Sequence, residues 1–594
     1  MKRYSLLSVE GVEATKGLMN VALGKEKADL LIINAAVLNV YTGELLNDHS
    51  ISIKGEWIVY VGDKPEDMIG PRTRIIDAQG KTVIPGLIDG HTHLADCLFS
   101  PIELLRYAMA GGTTTIITET IEPFPIKGYK GVVDFLDSLK DQPIKVFATA
   151  PAMASISKSI SVISQKTLNK LLLRDDILGL GESYWQAVIQ KQDDFLPIFI
   201  ETLKNHKKLE GHSAGAKGTK LMAYILTGVS SCHESINSEE VLERLRLGLF
   251  VMVREGSIRS DLSSISKIKD ADIDLRRLIL VTDGVSPMGL IENGYMENVI
   301  QKAIDLGFEP AKAIQMATIN VAEYFQLDGI IGGIAPGKYA DILIIPDLET
   351  IKAEYVISSG KIITKEGNLL VYPRKHTFSP DNLNTVHLSR KFLSTDFSIK
   401  VKEKDSCVNV RVIDQITNLV TKELIISVPI IDGEIKSNRS KDLLKVAAID
   451  RSKFPGKKFI GLIRGFCLNK GAVASSSAWD TSDIIVVGAD EEDMAAAVNR
   501  ICTLQGGIVV CVDGMIRAEI PLPVFGLMAD MPMEALAVKI KETTTIIQDL
   551  GFPFDDPLRT LATITGAAIP FIRICEEGLV NIKEGTSLGF VVTE

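Results

Sequence analysis

Two histidines one residue apart, His91 and His93, close the apolar run Val83-Ile84-Pro85-Gly86-Leu87-Ile88-Asp89-Gly90. Alternate side chains of an extended strand face the same way, so both imidazoles can reach one point. Such a pair suits a divalent transition metal such as Zn, Fe or Mn; hydrogen-bonded loop histidines are the plain alternative. Later apolar runs end in the same kinds of residue. Glu119 and Glu122 follow Thr113–Thr118, Glu182 follows Ile177–Leu180, and His212 follows Lys208–Glu210. His233 and Glu234 follow Gly228–Cys232, and Asp283 follows Leu278–Val281 after one threonine. Taken singly, His212 reads as a capped or core histidine and Glu182 as a surface carboxylate. Taken together, four histidines and several carboxylates at strand ends are the donors of a metal-assisted hydrolase. None of the eight histidines lies beyond His387, so a histidine-based metal site belongs to the first two-thirds of the chain.

Those strand ends need a frame. Residues 86–329 alternate strand-like runs with helical patterns such as Ile102–Met109, Phe195–Asn205 and Ser238–Leu247. That alternation implies βαβ units and a parallel sheet, and about 240 residues suit a (β/α)8 barrel with reacting groups at the carboxyl ends of its strands. A doubly wound open sheet is the alternative, but no G-x-G-x-x-G follows the first strand. Short β-type runs at 28–85 and again at 330–375 predict one small β-sandwich domain built from both segments, with the barrel inserted between its halves. Residues 1–27 read as a helical lead-in. Residues 395–594 read as a C-terminal α/β domain, with strands at Glu423–Val428, Ile484–Val487 and Gly507–Val512 and helices at Glu491–Leu504 and Met533–Leu550.

A hydrophobic content of 46%, a charged content of 24% and a net charge of −10 describe a globular protein with no call for nucleic acid or an anionic membrane. The absence of a signal-like start or a long apolar run, with seven scattered cysteines and no C-x-x-C pair, gives the expectation of a reduced, cytoplasmic protein.

The Pro85–His93 strand, Ser231-Cys232-His233-Glu234, Val253–Ser257, Gln315–Phe325, Gly332–Asp341, Ala474–Ser476 and Ile484–Gly488 together resemble the adenine deaminase family of the amidohydrolase superfamily. The resemblance implies two divalent metals per chain (Mn, Fe or Zn), one held by His91, His93 and Asp283 and the other by His212 and His233, with Glu182 bridging. It implies attack of a metal-bound hydroxide on C6 of adenine, giving hypoxanthine and ammonia. Asp283 would act as the proton carrier. Glu234 would contact a ring nitrogen or orient a histidine. A small heterocyclic substrate and a homodimer are also expected. The sequence departs from the family at Glu119-Thr120-Ile121-Glu122, at Ser183-Tyr184-Trp185, at Gly284-Val285-Ser286 and at Ser452, Trp479 and Ser482. These departures keep a different amino-heterocycle or cyclic amide open as substrate, and a silent binding relative as a third possibility. Glu119, Glu122, Trp185 and Ser286 are the residues expected to meet the substrate, Trp185 having a core position as its other reading.

Overall fold

The computed structural model describes residues 5–592 except 153–154, 161 and 402–405; the first four residues of the expected lead-in lie outside it. Eight parallel strands form the centre. They are β1 (Leu87–Thr92), β2 (Thr113–Thr118), β3 (Lys145–Ala150), β4 (Ile177–Tyr184), β5 (Lys208–His212), β6 (Ser231–Cys232), β7 (Phe250–Arg254) and β8 (Leu278–Val281). Strands β1 to β5 form one hydrogen-bonded parallel sheet and β6 to β8 a second. Backbone bonds join the two at both seams: the Asp283 N–H donates to the His91 carbonyl at 3.0 Å, and the Ser230 N–H to the Leu209 carbonyl at 3.1 Å. The result is a curled α/β barrel. Its strands are buried along nearly their whole length, as expected where helices cover a parallel sheet.

Two strands run further than their apolar composition predicts. β4 continues past Leu180 through Glu182 to Tyr184, and β5 continues through His212, so both site residues sit inside strands. A register shift between Leu209 and Gly211 on β5 accommodates the extension. Such irregularities re-aim side chains at the rims of barrels.

The flanking β segments meet in one sheet. Leu30–Asn39 runs parallel to Thr82–Pro85, which pairs antiparallel with Ile342–Ile345, so both segments enter one nine-stranded sheet. Leu30, Ile32, Val37, Ile51, Ile58, Ile342 and Ile357 fill its core. Ahead of it, Leu6–Ala22 is helical but breaks at Gly11, where φ is +78°. Among the described residues, the helical lead-in is therefore two helical pieces on either side of Gly11.

In the C-terminal part, eight strands between Cys407 and Pro521 make a mostly antiparallel sheet, with one parallel pair between Cys407–Gln415 and Lys458–Arg464. Glu491–Leu504 buries Met494, Ala497, Val498 and Ile501 against this sheet. The loops of this part lie over the barrel's carboxyl face: the Ser452 hydroxyl donates to the Ile126 carbonyl at 2.9 Å, and Tyr184 at the end of β4 donates its hydroxyl to Asp480 at 3.2 Å. Among the described residues, no helix is long and apolar enough to cross a membrane.

Candidate metal centre

One buried carboxylate fastens the two strands that matter most. Asp89, two residues before His91 on β1, accepts from the Thr282 hydroxyl at 2.6 Å, the Tyr295 hydroxyl at 2.7 Å and the His91 N–H at 3.2 Å. β1 and β8 are thereby held in register, and His91 faces Asp283 with Nε2 3.2 Å from Oδ1. Asp283 itself has a φ of +60°, a left-handed conformation that Asp tolerates better than most residues. Residues held in such conformations cluster at functional sites.

The six predicted donors meet. His93 Nε2 lies 3.6 Å from Glu182 Oε1 and 3.7 Å from Asp283 Oδ1. Glu182 Oε2 lies 3.0 Å from both His212 Nδ1 and His233 Nε2. Three groups have donor atoms within 4.8 Å of one another: His91, His93 and Glu182; Glu182, His212 and His233; and His91, His233 and Asp283. His91, His233 and Glu182 each belong to two of them; of these Glu182 alone is a carboxylate, with two oxygens that two cations could share.

Behind three of the four imidazoles stands a further carboxylate. Glu122 Oε1 is 2.6 Å from His93 Nδ1, and Glu234 Oε1 is 2.7 Å from His212 Nε2, while the other Glu234 oxygen accepts the Ala214 N–H at 2.7 Å. A carboxylate on the far nitrogen fixes the ring's tautomer and raises its basicity as a ligand. Glu119 stands deeper, 3.7 Å from His91 Nδ1, and accepts the Glu182 N–H at 3.3 Å. Gly181 makes room for it, because a Cβ there would sit 2.0 Å from Glu119 Oε2.

The electrostatics point to missing positive charge. Burial alone would raise Asp283, but the hydrogen bond from His91 and the Arg254 guanidinium 3.5 Å away hold it well below the usual carboxylate range. Glu182 is likewise lowered, its burial outweighed by His212 and His233. Burial disfavours charge on His212 too, yet Glu234 and Glu182 on either side lift it to about 10. His233, stacked on His91 with ring centroids 4.3 Å apart, is held down to about 4 by burial and by that neighbour. Carboxylates therefore outnumber fixed cations here: Glu119, Glu122, Glu182, Glu234 and Asp283 surround the imidazoles, with the Arg254 guanidinium beside them. Imidazole nitrogens with carboxylate oxygens are a donor set that divalent cations fit.

Above the donors opens a cavity of about 460 Å³, whose wall includes His93, Glu122, Glu182, His212, Glu234, Arg254 and Asp283. Its roof comes from the C-terminal part: Thr417, Leu419, Val420, Trp479, Asp480 and Ala568–Pro570. One guanidinium ties this roof together. Arg573, fully buried, donates to the carbonyls of Leu419 at 2.7 Å, Ile569 at 2.8 Å and Pro570 at 2.9 Å.

Three of the four expected substrate contacts lie elsewhere. Glu119 is buried beneath the donors, off the cavity wall. The Trp185 indole N–H donates to the Ala214 carbonyl at 2.7 Å and its ring packs beside Ala216 and Leu221, which is the core position. Ser286 caps the helix Pro287–Asn293 by accepting the Gly289 N–H at 3.1 Å, and faces a neighbouring cavity. Glu122 does line the cavity, but one of its oxygens is committed to His93. The sequence reading missed Asp89, Arg254, Asp480 and Arg573. Asp89 carried a signal, since it shares the alternation of His91 and His93. The roof residues carried none, because nothing in a sequence tells which loop will cover a barrel 200 residues upstream.

Residues 82–363 match the Amidohydrolase family, and residues 418–586 match the Adenine deaminase C-terminal domain. An adenine deaminase of Clostridium botulinum is 34% identical over 98% of this chain and 98% of its own. One of Moorella thermoacetica is 35% identical over 96% of each. A solved zinc-bound adenosine deaminase from Xanthomonas campestris overlays 58% of this chain and 95% of its own, at 16% identity and a TM-score of 0.46. The chain is thus an amidohydrolase, a hydrolase of carbon–nitrogen bonds. Within that class it belongs to the adenine deaminase family.

Proposed function

We propose that this protein hydrolyses adenine to hypoxanthine and ammonia at the barrel mouth, with two divalent cations (Mn, Fe or Zn) shared through Glu182. The observation that carries the reading is the meeting of six donors from five strand ends, Glu182 common to two donor groups. His91 and His93 would hold one cation with Asp283, and His212 and His233 the other. When bound, the cations would polarise water and bring its pKa toward neutrality.

The chain's own residues do the rest. The cavity admits a flat base edge-on to the donors. Asp283, kept ionised by Arg254 and His91, takes a proton from the attacking water as the C6–O bond forms. It then returns that proton to the amino nitrogen as the C6–N bond breaks, so one water is consumed and one ammonia released. Proton transfer by a positioned carboxylate is worth about 10²–10⁴-fold. Glu122 and Glu234 hold His93 and His212, and Glu234 also borders the cavity where a ring nitrogen would lie. The barrel carries the chemistry, the composite sheet braces it, and the C-terminal part excludes water from above. The same proposal includes a cytoplasmic location and pairing of two chains, the latter read by light scattering. Adenine was the expectation from the sequence, and family membership along almost the whole chain favours it over another amino-heterocycle. The test is to load purified protein with Mn or Fe, add adenine, and follow ammonia and purine absorbance. Ammonia release with hypoxanthine formation is expected; about two bound metals per chain with no turnover of adenine would reject it.

A further inference from the structure

Asp480 sits on the loop between the strands Ala472–Ser475 and Asp483–Gly488, with a φ of +61°. Three parts of the molecule hold it in place. Its Oδ1 accepts the Tyr184 hydroxyl at 3.2 Å, its Oδ2 accepts the Ala567 N–H at 2.7 Å, and its carbonyl accepts the Ser155 hydroxyl at 2.6 Å. A carboxylate has about four acceptor positions, and protein donors occupy two. Asp480 also borders the cavity from the roof side, with the Tyr184 ring between it and His212, 4.6 Å from that imidazole centroid to centroid. Beside it, Trp479 borders two cavities at once: the one over the donors, of about 460 Å³, and a second of about 620 Å³. With Asp96 and Ile258 it is common to both walls, and its backbone N–H is fixed to the Ala562 carbonyl at 3.0 Å. The Trp479 indole N–H pairs with the Asp96 carboxyl, linking the roof to the loop after β1.

We infer that Trp479 and Asp480 select a free heterocyclic base over the same base substituted at its imidazole nitrogen. The inference deepens, and rests on, the deaminase reading above. When C6 of a purine faces the strand-end donors, its imidazole N–H lies at the far end of the ring system, toward the roof. There the open acceptor positions of Asp480 receive that N–H. A group replacing the hydrogen removes the donor and needs room that the Trp479 indole fills. The second cavity behind Trp479 shows that the space exists once the ring is taken away. A site built to hydrogen-bond an N–H rejects an analogue lacking it far more strongly than a purely apolar pocket rejects an added methylene.

The test compares kcat/KM for adenine and 9-ethyladenine in metal-loaded wild type, Asp480→Asn, Trp479→Ala and Trp479→Leu, with metal content and thermal midpoint measured alongside. Wild type is expected to prefer adenine by at least about 10²-fold. Asp480→Asn loses an acceptor and should cut kcat/KM for adenine by about tenfold or more, through KM, leaving 9-ethyladenine nearly unchanged. Either Trp479 variant should raise turnover of 9-ethyladenine and narrow the preference about tenfold. The ratio, unlike a rate, does not move when a variant merely folds less well. Equal use of the two bases by wild type, or an unaltered preference in all three variants, overturns the inference while leaving adenine deamination standing. Failure of wild type to act on adenine overturns the deaminase reading, and this inference with it.

Discussion

Replacing Glu122 by Gln isolates what the carboxylates behind the imidazoles do. Glu122 Oε1 lies 2.6 Å from His93 Nδ1, and its Oε2 is buried without a partner. Gln keeps the shape and can still accept from Nδ1–H, but it removes the charge that makes His93 a stronger donor. It also places an amide NH2 where the orphaned Oε2 now lies. Losing such a partner weakens metal binding by about 10–100-fold, or about 1.4–2.7 kcal/mol. Glu119→Gln is the internal control. At 3.7 Å from His91 Nδ1 its carboxyl is outside hydrogen-bond reach, and burial pushes it up to about 7, so less charge is lost and a smaller effect is expected. The assay is competition of the metal-free protein with a chromophoric chelator for Mn or Zn, with elemental analysis for stoichiometry. KM for adenine, measured at saturating metal, should stay within a few-fold of wild type. An unchanged metal affinity in Glu122→Gln with a large rise in KM would refute the reasoning and restore Glu122 as a substrate contact.

Asp283→Asn should cut turnover at least about 10²-fold with metal content largely retained; near-normal turnover removes its role as proton carrier. His91→Ala should lose metal outright by elemental analysis. Arg573→Gly frees the carbonyls of Leu419, Ile569 and Pro570 and should raise KM for adenine with metal content unchanged, and added guanidinium should restore it in part; a fall in kcat alone would contradict this. Glu297, on the helix Met296–Asp305, is raised by burial from 4.5 to about 7. Stability present below about pH 4.5 is therefore lost as pH rises toward about 7, at most about 3 kcal/mol. Glu297→Gln should accordingly gain thermal midpoint over wild type across that window, and a constant difference between pH 4 and 8 would contradict the sign.

What the sequence disclosed follows from where information is local. The ligands are legible because a barrel strand is a short apolar run ending in one polar residue, so each of His91, His93, Glu182, His212, His233 and Asp283 announces itself within a few positions. Strand ends were less legible: β4 and β5 run on through Glu182 and His212 because a register shift lets polar residues stay in the sheet. Trp185 misled because an aromatic beside a strand end looks the same whether it faces a ligand or the core. Its neighbour Tyr184, the last residue of β4, lines the cavity, while Trp185 opens the following helix and turns away.

The division of the site into a local half and a distant half also explains where specificity can change without loss of chemistry. The donors are mutually dependent: Glu182 touches three imidazoles, Asp283 two, and Asp89 locks the strands beneath them. A change at any of these disturbs every other. The roof is held differently. Arg573 grips main-chain carbonyls, and the main chain at Trp479 and Asp480 is itself bonded, to the Ala562 carbonyl and the Ser155 hydroxyl, so the loop does not hang on the indole alone. The departure from the family at Trp479 falls on this roof, while the six donors themselves are kept. A search for altered substrate range therefore starts on the roof loops, where a side chain can change without removing a metal donor.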